Sequence, residues 1–232
     1  MIRRLTLTGF VIALSFTLTL AQKDIPKDFK IVVSDGFSND KALRNYEFSD
    51  QSQWLISKVG RPGKSIKCNG AGNYENAYGG PAILALLKGF EFEDFILELN
   101  MVQNGTDFNL LDFCVFFGVQ DKDHYCYAQI ASRADRKSHN VFRQDGAKPV
   151  RVEDPNSKGV VWKHKEWNKI RVERLVSAKT LKVFFNNELV LESTQEPFMA
   201  GQVGFGSTTS AIKVDNLKIW APAYNETADS VF

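Results

Sequence analysis

The chain has 232 residues, of which 44% are hydrophobic and 24% are charged, a composition that excludes a disordered or low-complexity protein. It carries 29 basic and 27 acidic residues, so its formal net charge is only +2. A nearly neutral chain argues against nucleic acid or an anionic membrane surface as the main partner.

The first 21 residues have the features of a secretory signal peptide. Arg3 and Arg4 precede an uncharged apolar run over 5–20, and we predict cleavage after Ala21. No later apolar run reaches the ~20 residues of a membrane-spanning helix, so we expect no membrane insertion. The sequence therefore predicts a secreted or periplasmic protein with one domain over 22–232.

From Phe29 onward, short β-branched and aromatic runs are separated by Gly, Asn, Asp and Pro, which indicates an all-β domain. Over 168–193, apolar and charged residues alternate, as in a sheet with one buried face. Asn186 and Asn187 suit a tight hairpin turn there, and helix is expected only around Asp40–Asn45. The predicted strands are 29–33, 53–59, 82–87, 90–102, 112–119, 124–131, 168–176, 181–187, 188–193, 202–207 and 211–220.

The segment 112–131 is predicted to form a hairpin in which Gln120 faces His124 across a turn at 121–123. In this register the apolar row that includes Phe113 and Phe117 shares a face with Tyr125 and Tyr127. A two-residue turn would reverse the faces of the second strand, because strand side chains alternate with a period of two.

Cys68, Cys114 and Cys126 allow at most one intramolecular disulfide in an oxidising compartment. In the predicted register, Cys114 lies ~13 Å along the strand from Cys126, which is beyond the reach of a disulfide. The pairing of Cys68 with either of the others stays open.

Five segments follow one another in a characteristic order: "FFGVQDKDHYCYAQI", "KEWNKIRVERLV", "VFFNNELVLES", "GQVGFGS" and "VDNLKIW". Together they resemble the concanavalin A-like lectin/glucanase superfamily, in the laminin-G-like and 3-keto-disaccharide hydrolase-like forms of secreted bacterial proteins. The resemblance implies a two-sheet antiparallel jelly-roll sandwich that holds an oligo- or polysaccharide across its concave sheet and rim loops. Because this fold hosts lectins, hydrolases, lyases and adhesion modules, it does not fix the activity.

Saccharide binding needs aromatic side chains for the sugar faces and polar side chains for the hydroxyl groups. Both kinds occur in the hairpin and in the irregular segment after it. For each residue the alternative is a core position or a solvated loop. The candidate ligand-binding residues are Gln120, Tyr125, Tyr127, Arg136, Asn140, Trp162 and His164.

An enzyme acting on glycosides, as a lyase or a 3-keto-glycoside hydrolase, is the alternative to a binding protein. His124 or His139 would then act as the base, with Arg133 or Arg143 stabilising charge. That hypothesis requires the histidines to lie within reach of one substrate. A structural adhesion domain is a third alternative.

The sequence indicates no required cofactor. The resemblance implies a structural calcium ion between the first and last strands, where Asp35 and Asp215 would supply carboxylates. We expect a monomer.

Overall fold

The computed structural model describes residues 25–152, 158–163, 165–194 and 200–232. The predicted signal peptide and His164 lie outside them. The described 3-10 helices are Asp40–Asn45, Gln51–Gln53 and Phe108–Leu110. The described strands are β1 (Lys30–Asp35), β2 (Tyr46–Phe48), β3 (Trp54–Gly60), β4 (Gly63–Cys68), β5 (Ile83–Leu87), β6 (Phe90–Glu91), β7 (Phe95–Gln103), β8 (Asp112–Val119), β9 (His124–Ala131), β10 (Asn140–Asp145), β11 (Val150–Arg151), β12 (Trp167–Leu175), β13 (Thr180–Phe185), β14 (Glu188–Ser193), β15 (Gln202–Ser207), β16 (Ile212–Ala221) and β17 (Asn225–Glu226).

Two large antiparallel sheets form a sandwich, which confirms the predicted fold class. The first sheet has the order β14-β13-β12-β7-β16-β4-β3, with β1 also pairing with β16. The second has the order β11-β10-β9-β8-β15-β5-β2. The apolar residues of their facing sides form one continuous core, and β6 with β17 makes a separate small ribbon.

The first sheet follows the alternation seen in its sequence. Ile170, Val172 and Val183 are fully buried on the inner side. On the outer side, Glu98 accepts hydrogen bonds from Arg171, at 2.6 Å. Asn186 and Asn187 have φ values of 51° and 72°, so the predicted hairpin turn is confirmed, as is the short helix at Asp40–Asn45.

The second sheet is buried on both faces. Its outer side carries a separate apolar cluster that includes Phe116, Tyr125, Tyr127 and Phe142. Two parts of the chain, residues 69–82 and 227–232, lie over this cluster, and we call them the covering segments.

Specific contacts hold the covering segments in place. Asn76 Nδ2 donates a 2.8 Å hydrogen bond to the Tyr125 hydroxyl, and the rings of Tyr74 and Phe232 meet edge to face at 5.4 Å. The buried carboxylate of Glu47 accepts hydrogen bonds from Ser230 Oγ at 2.6 Å and from backbone amides that follow it. The outer face is therefore closed by the protein itself.

The predicted faces of the 112–131 hairpin are wrong, although its turn is confirmed. The Gln120 amide donates to the His124 carbonyl as expected. Phe116 nevertheless lies opposite Tyr127, because Gly118 adopts a left-handed φ of 57° and accommodates one extra residue as a bulge. The bulge moves both tyrosines to the outer face, as in the alternative register.

Cys68, Cys114 and Cys126 are buried, and they form no disulfide within the described residues. Cys114 lies opposite Gln129 rather than beside Cys126, so the prediction that these two thiols do not pair is confirmed. Burial raises the pKa of Cys68 to about 11, which keeps its thiol protonated and unreactive near neutrality.

An arginine side chain is enclosed in the interior. Arg174, on the inner side of β12, is fully buried. Its guanidinium donates to the Glu93 carbonyl at 2.9 Å and lies 5.4 Å from the centre of the Phe117 ring. It thereby ties the segment before β7 to the inner faces of both sheets.

Replacing Arg174 with alanine is expected to lower the free energy of unfolding by about 3 kcal/mol or more, since it leaves a cavity and unpaired buried carbonyls. Urea denaturation measures the change. The control, Arg136→Ala, removes an exposed arginine and is expected to change stability by about 0.5 kcal/mol or less. Equal effects of the two substitutions would contradict a structural role for Arg174.

Candidate functional site

A cavity of about 270 Å³ opens at one end of the second sheet. It lies between the 3-10 helix Phe108–Leu110 and the loop 132–139 that connects β9 to β10. Its lining combines apolar, amide, hydroxyl and charged side chains, and the loop contributes Arg133 from the predicted site residues.

Asp112 lies at the floor of this cavity with its carboxylate buried. Its Oδ1 accepts a 2.7 Å hydrogen bond from Ser207 Oγ, and its Oδ2 accepts a 2.6 Å bond from Gln129 Nε2. Desolvation raises the pKa of this carboxyl, while hydrogen bonds from Gln129, Ser207 and Thr208 act in the opposite direction. The network fixes Gln129 in one orientation.

Two buried polar atoms of β9 and β10 have no hydrogen-bond partner within the described part of the chain: one belongs to Gln129, which lines the cavity, and the other to Asn140, which does not. They are Gln129 Oε1 and Asn140 Nδ2. Gln129 and Asn140 face each other across β9 and β10. Buried polar groups are normally paired, so such atoms point to water or a ligand. A hydroxyl group can donate to one and accept from the other.

The rim of the cavity is polar on one side and apolar on the other. Arg133 Nε lies 3.5 Å from Asp135 Oδ2, and Ser138 Oγ donates a 3.0 Å bond to the Arg133 carbonyl. Across from this loop, Leu110 is 59% exposed at the edge of the cavity. The cavity thus offers hydrogen-bonding groups and an apolar surface to one ligand.

The two histidines proposed as bases occupy opposite ends of β9. His124 begins the strand, and its Nδ1 lies 2.8 Å from both carboxylate oxygens of Asp121. His139 is fully buried, and its Nδ1 accepts a 3.1 Å bond from the amide of Ala131. Seven strand residues correspond to roughly 23 Å, so one substrate group cannot contact both histidines.

His139 is held in the interior as a neutral ring. Its backbone also has a positive φ of 56°. Burial lowers its pKa below the ordinary value of 6.5, while hydrogen bonds with the backbone of Val190 and Ala131 act in the opposite direction. These contacts place His139 between the sheets rather than at the cavity surface.

The aromatic candidates are enclosed as well. Tyr125 and Tyr127 lie beneath the covering segments, and the Tyr125 hydroxyl donates to Gln144 Oε1 at 3.1 Å. Trp162 is 2% exposed, and its indole N–H donates to the Leu111 carbonyl at 3.2 Å. None of these three rings offers a free face to a sugar in this structure.

The remaining candidates are spread over the surface. Gln120 lies at the turn beyond β8, where its side-chain Nε2 donates to the Ala200 carbonyl at 3.5 Å. Arg136 is exposed in the rim loop. Arg143 lies opposite Cys126, away from the outer-face tyrosines. The structure therefore brings Arg133 and Asn140 close to Gln129 and leaves the others apart.

The carboxylates of Asp35 and Asp215 provide few of the ligands that calcium needs. Each carboxylate already accepts hydrogen bonds, from Phe37 and Tyr46 in one case and from Arg61 and Asn216 in the other. Desolvation and the charge of Asp35 both raise the pKa of Asp215. No group of three metal-binding side chains occurs in the described ranges, whereas calcium takes about six to eight oxygens. Two carboxylates do not complete such a shell by themselves, and calcium binding at Asp35 and Asp215 stays a prediction.

Several residues of the cavity were not anticipated from the sequence. Gln129 lies 17 residues after Asp112, and it meets Leu110 and Asp112 only when β8, β9 and the preceding helix assemble. An aspartate at the start of the otherwise apolar strand 112–119 was the available signal. Its partners Ser207 and Thr208 come from a distant turn that the strand pattern does not connect to it.

Three solved structures share the architecture of this chain. A carbohydrate-binding module, CBM66, from Bacillus subtilis is 12% identical, with a TM-score of 0.55, and the match covers 76% of this chain and 96% of the module. A Bacillus subtilis protein of unknown function with a galectin-like fold is 10% identical, with a TM-score of 0.53 and coverages of 82% and 97%. Domain 4 of an extracellular GH43 arabinanase from Geobacillus stearothermophilus, solved with arabinotriose, is 12% identical, with a TM-score of 0.50 and coverages of 86% and 95%.

These likenesses define the chain as a galectin- or concanavalin-like β-sandwich. The model of the 3-keto-α-glucoside-1,2-lyase-like domain family matches residues 38–220. The chain therefore belongs to that family, as the sequence motifs indicated. A search of curated protein sequences finds no match.

None of the helices in the described ranges is long and apolar enough to cross a membrane.

The buried neutral His139 predicts a pH-dependent stability. Its pKa is lowered on folding, so the unfolded chain takes up a proton first as the pH falls below about 6.5, and the folded state loses stability. In His139→Asn, the decrease in the free energy of unfolding at low pH is expected to shrink, since asparagine does not take up a proton and tolerates the positive φ. At about pH 8 the lost hydrogen bonds are expected to lower the free energy of unfolding by about 1–3 kcal/mol. Urea denaturation at several pH values tests this, and an unchanged pH dependence would contradict it.

Proposed function

We propose that this protein binds a saccharide in the cavity between the helix Phe108–Leu110 and the loop 132–139. The observation that carries the proposal is Gln129 Oε1, a buried acceptor on a cavity-lining residue that has no hydrogen-bond partner within the described part of the chain. A sugar hydroxyl group is a donor that can satisfy this acceptor.

The surroundings of the cavity support a sugar rather than a wholly apolar ligand. Leu110 presents an apolar edge suited to the C–H face of a sugar ring, and Arg133 lies on the opposite rim. The volume of about 270 Å³ lies just below the range of about 300–1,000 Å³ for small-molecule sites, which favours one short stretch of a glycan.

The family and fold support the same ligand class. The family description names a lyase acting on a 3-keto-α-glucoside, and one structural neighbour is a carbohydrate-binding module. A carbohydrate is thus common to the family and to this neighbour, although the neighbour is only 12% identical to this chain.

The geometry favours binding over catalysis. His124 and Ala131, the residue whose amide donates to His139, lie roughly 23 Å apart along β9, and His139 is buried between the sheets. Neither histidine lines the cavity. Asp112 does line it, but each of its carboxylate oxygens already accepts hydrogen bonds from the protein. We therefore assign recognition, rather than elimination or hydrolysis, to this cavity.

Substitution of the cavity rim is expected to weaken saccharide binding without unfolding the protein. A glycan array would first identify a bound glycan. Leu110→Ser and Arg133→Ala are each expected to weaken its binding about tenfold, by removing an apolar contact and a charged hydrogen-bond donor. Isothermal titration calorimetry measures the affinities.

Arg136→Ala is the matched control, because Arg136 belongs to the same loop but does not line the cavity. Its affinity is expected to equal that of the wild type. Equal losses in all three variants, or no glycan bound at all, would refute the proposed site. Unsaturated products or new reducing ends after incubation with the glycan would instead establish an enzyme.

We also infer that the protein is exported, on the strength of the charged and apolar pattern of its first 21 residues. Protein recovered from the periplasm or medium of a bacterial host is expected to begin at Gln22, as measured by N-terminal sequencing. Arg3→Glu with Arg4→Glu is expected to reduce export. Retention of Met1 in the exported fraction would contradict cleavage after Ala21.

A further inference from the structure

A second concave surface lies away from the proposed saccharide cavity. It is a groove of about 720 Å³ between β1 and the helix Asp40–Asn45 on one side and the turn 87–90 on the other. Its lining shares no residue with the cavity lining.

Three exposed cationic side chains line this groove: Lys41, Arg44 and Lys88. Lys41 and Arg44 are three residues apart in a 3-10 helix, where side chains at this spacing lie one above the other. Both therefore project from the same face of the helix.

Lys88 is tied to the same helix through the backbone. Its amide donates a 2.9 Å hydrogen bond to the carbonyl of Asn45, the residue after Arg44. Gly89 follows in a left-handed conformation with φ of 85°, which turns the chain back at the edge of the groove. The third cation is thus held beside the first two.

Within the described ranges, none of these three cations forms an ion pair with a carboxylate. The lining contains one acidic residue, Asp35. Its Oδ1 accepts a 2.8 Å hydrogen bond from the Phe37 amide, and its Oδ2 lies 3.4 Å from the Tyr46 hydroxyl. Elsewhere on the surface, an exposed lysine does pair with an acid, as Lys122 does with Asp123 at 2.9 Å.

We propose that this groove binds carboxylate or sulfate groups carried by an acidic polysaccharide. Arginine and lysine are the side chains that recognise such oxyanions, and a groove accommodates a chain better than a single ion. Ser38 and Asn39 at the rim offer hydrogen-bonding groups. The choice of a polysaccharide as carrier rests on the proposed function, whereas the preference for anions rests on the groove alone.

The test compares dextran sulfate and polygalacturonate with neutral dextran by isothermal titration calorimetry on the full chain. The wild type is expected to bind both acidic polymers, and dextran much more weakly or not at all. Because exposed charges are screened by salt, raising NaCl from about 0.05 M to about 0.5 M is expected to weaken the binding strongly.

The groove variant combines Lys41→Gln, Arg44→Gln and Lys88→Gln, and it is expected to bind about tenfold more weakly, through the loss of three exposed ion pairs. The control variant combines Lys58→Gln, Lys64→Gln and Lys179→Gln, which removes the same charge from exposed positions that do not line the groove. Its affinity is expected to stay within about twofold of the wild type. Circular dichroism confirms that each variant is folded.

Equal losses in the two triple variants would show general charge attraction and overturn the proposal, as would equal binding of neutral dextran. Displacement of dextran sulfate by inorganic sulfate at the same total sulfate concentration would overturn the polysaccharide as carrier. The proposed function can fail without this proposal. If the cavity binds no neutral glycan, the groove variant is still expected to bind dextran sulfate more weakly than the wild type.

Discussion

The second sheet has to be buried on both faces, and much of the remaining structure depends on how this is done. A sheet that packs on one side only can leave polar residues on the other, as the first sheet does with Glu98 and Arg171. The second sheet instead places Phe116, Tyr125 and Tyr127 on its outer side. Such a surface would be exposed apolar area without a cover. The covering segments provide that cover, and the three hydrogen-bond donors that converge on Glu47 anchor one of them.

Closure of the outer face leaves the end of the sheet as the open part. There Asp112 joins β8 to Gln129 of β9 and to the turn at Ser207. A buried carboxylate is costly to desolvate unless hydrogen bonds surround it, and here they come from separate parts of the chain. Among the residues that the structure describes, the network leaves the acceptor of Gln129 without a hydrogen-bond partner. The hydrogen bond from Gln129 to the Asp112 carboxylate thus uses the donor of the Gln129 amide and leaves its acceptor available to a ligand.

How much the sequence predicted depends on how each strand is buried. The strands β12 and β13 alternate cleanly because one side meets water, and they were predicted with their turn. The strand β10 was missed because its polar residues Asn140 and Gln144 are buried. A prediction that treats polar residues as exposed therefore finds no strand pattern there. The site was predicted only in part for the same reason. Arg133 and Asn140 came from a polar segment, whereas Asp112 acquires its role through contacts with residues far along the chain.

Gly118 has a consequence for how the fold tolerates changes in length. Its left-handed conformation accommodates a single additional residue within β8, and this offset decides which side of the sheet the tyrosines of β9 occupy. A deletion of one residue between Gly118 and His124 would remove the offset and rotate either the turn or the whole second strand. The length of this hairpin therefore decides which side chains of β9 face outward. A relative with one residue fewer here would present a different chemical surface on the same two-sheet scaffold.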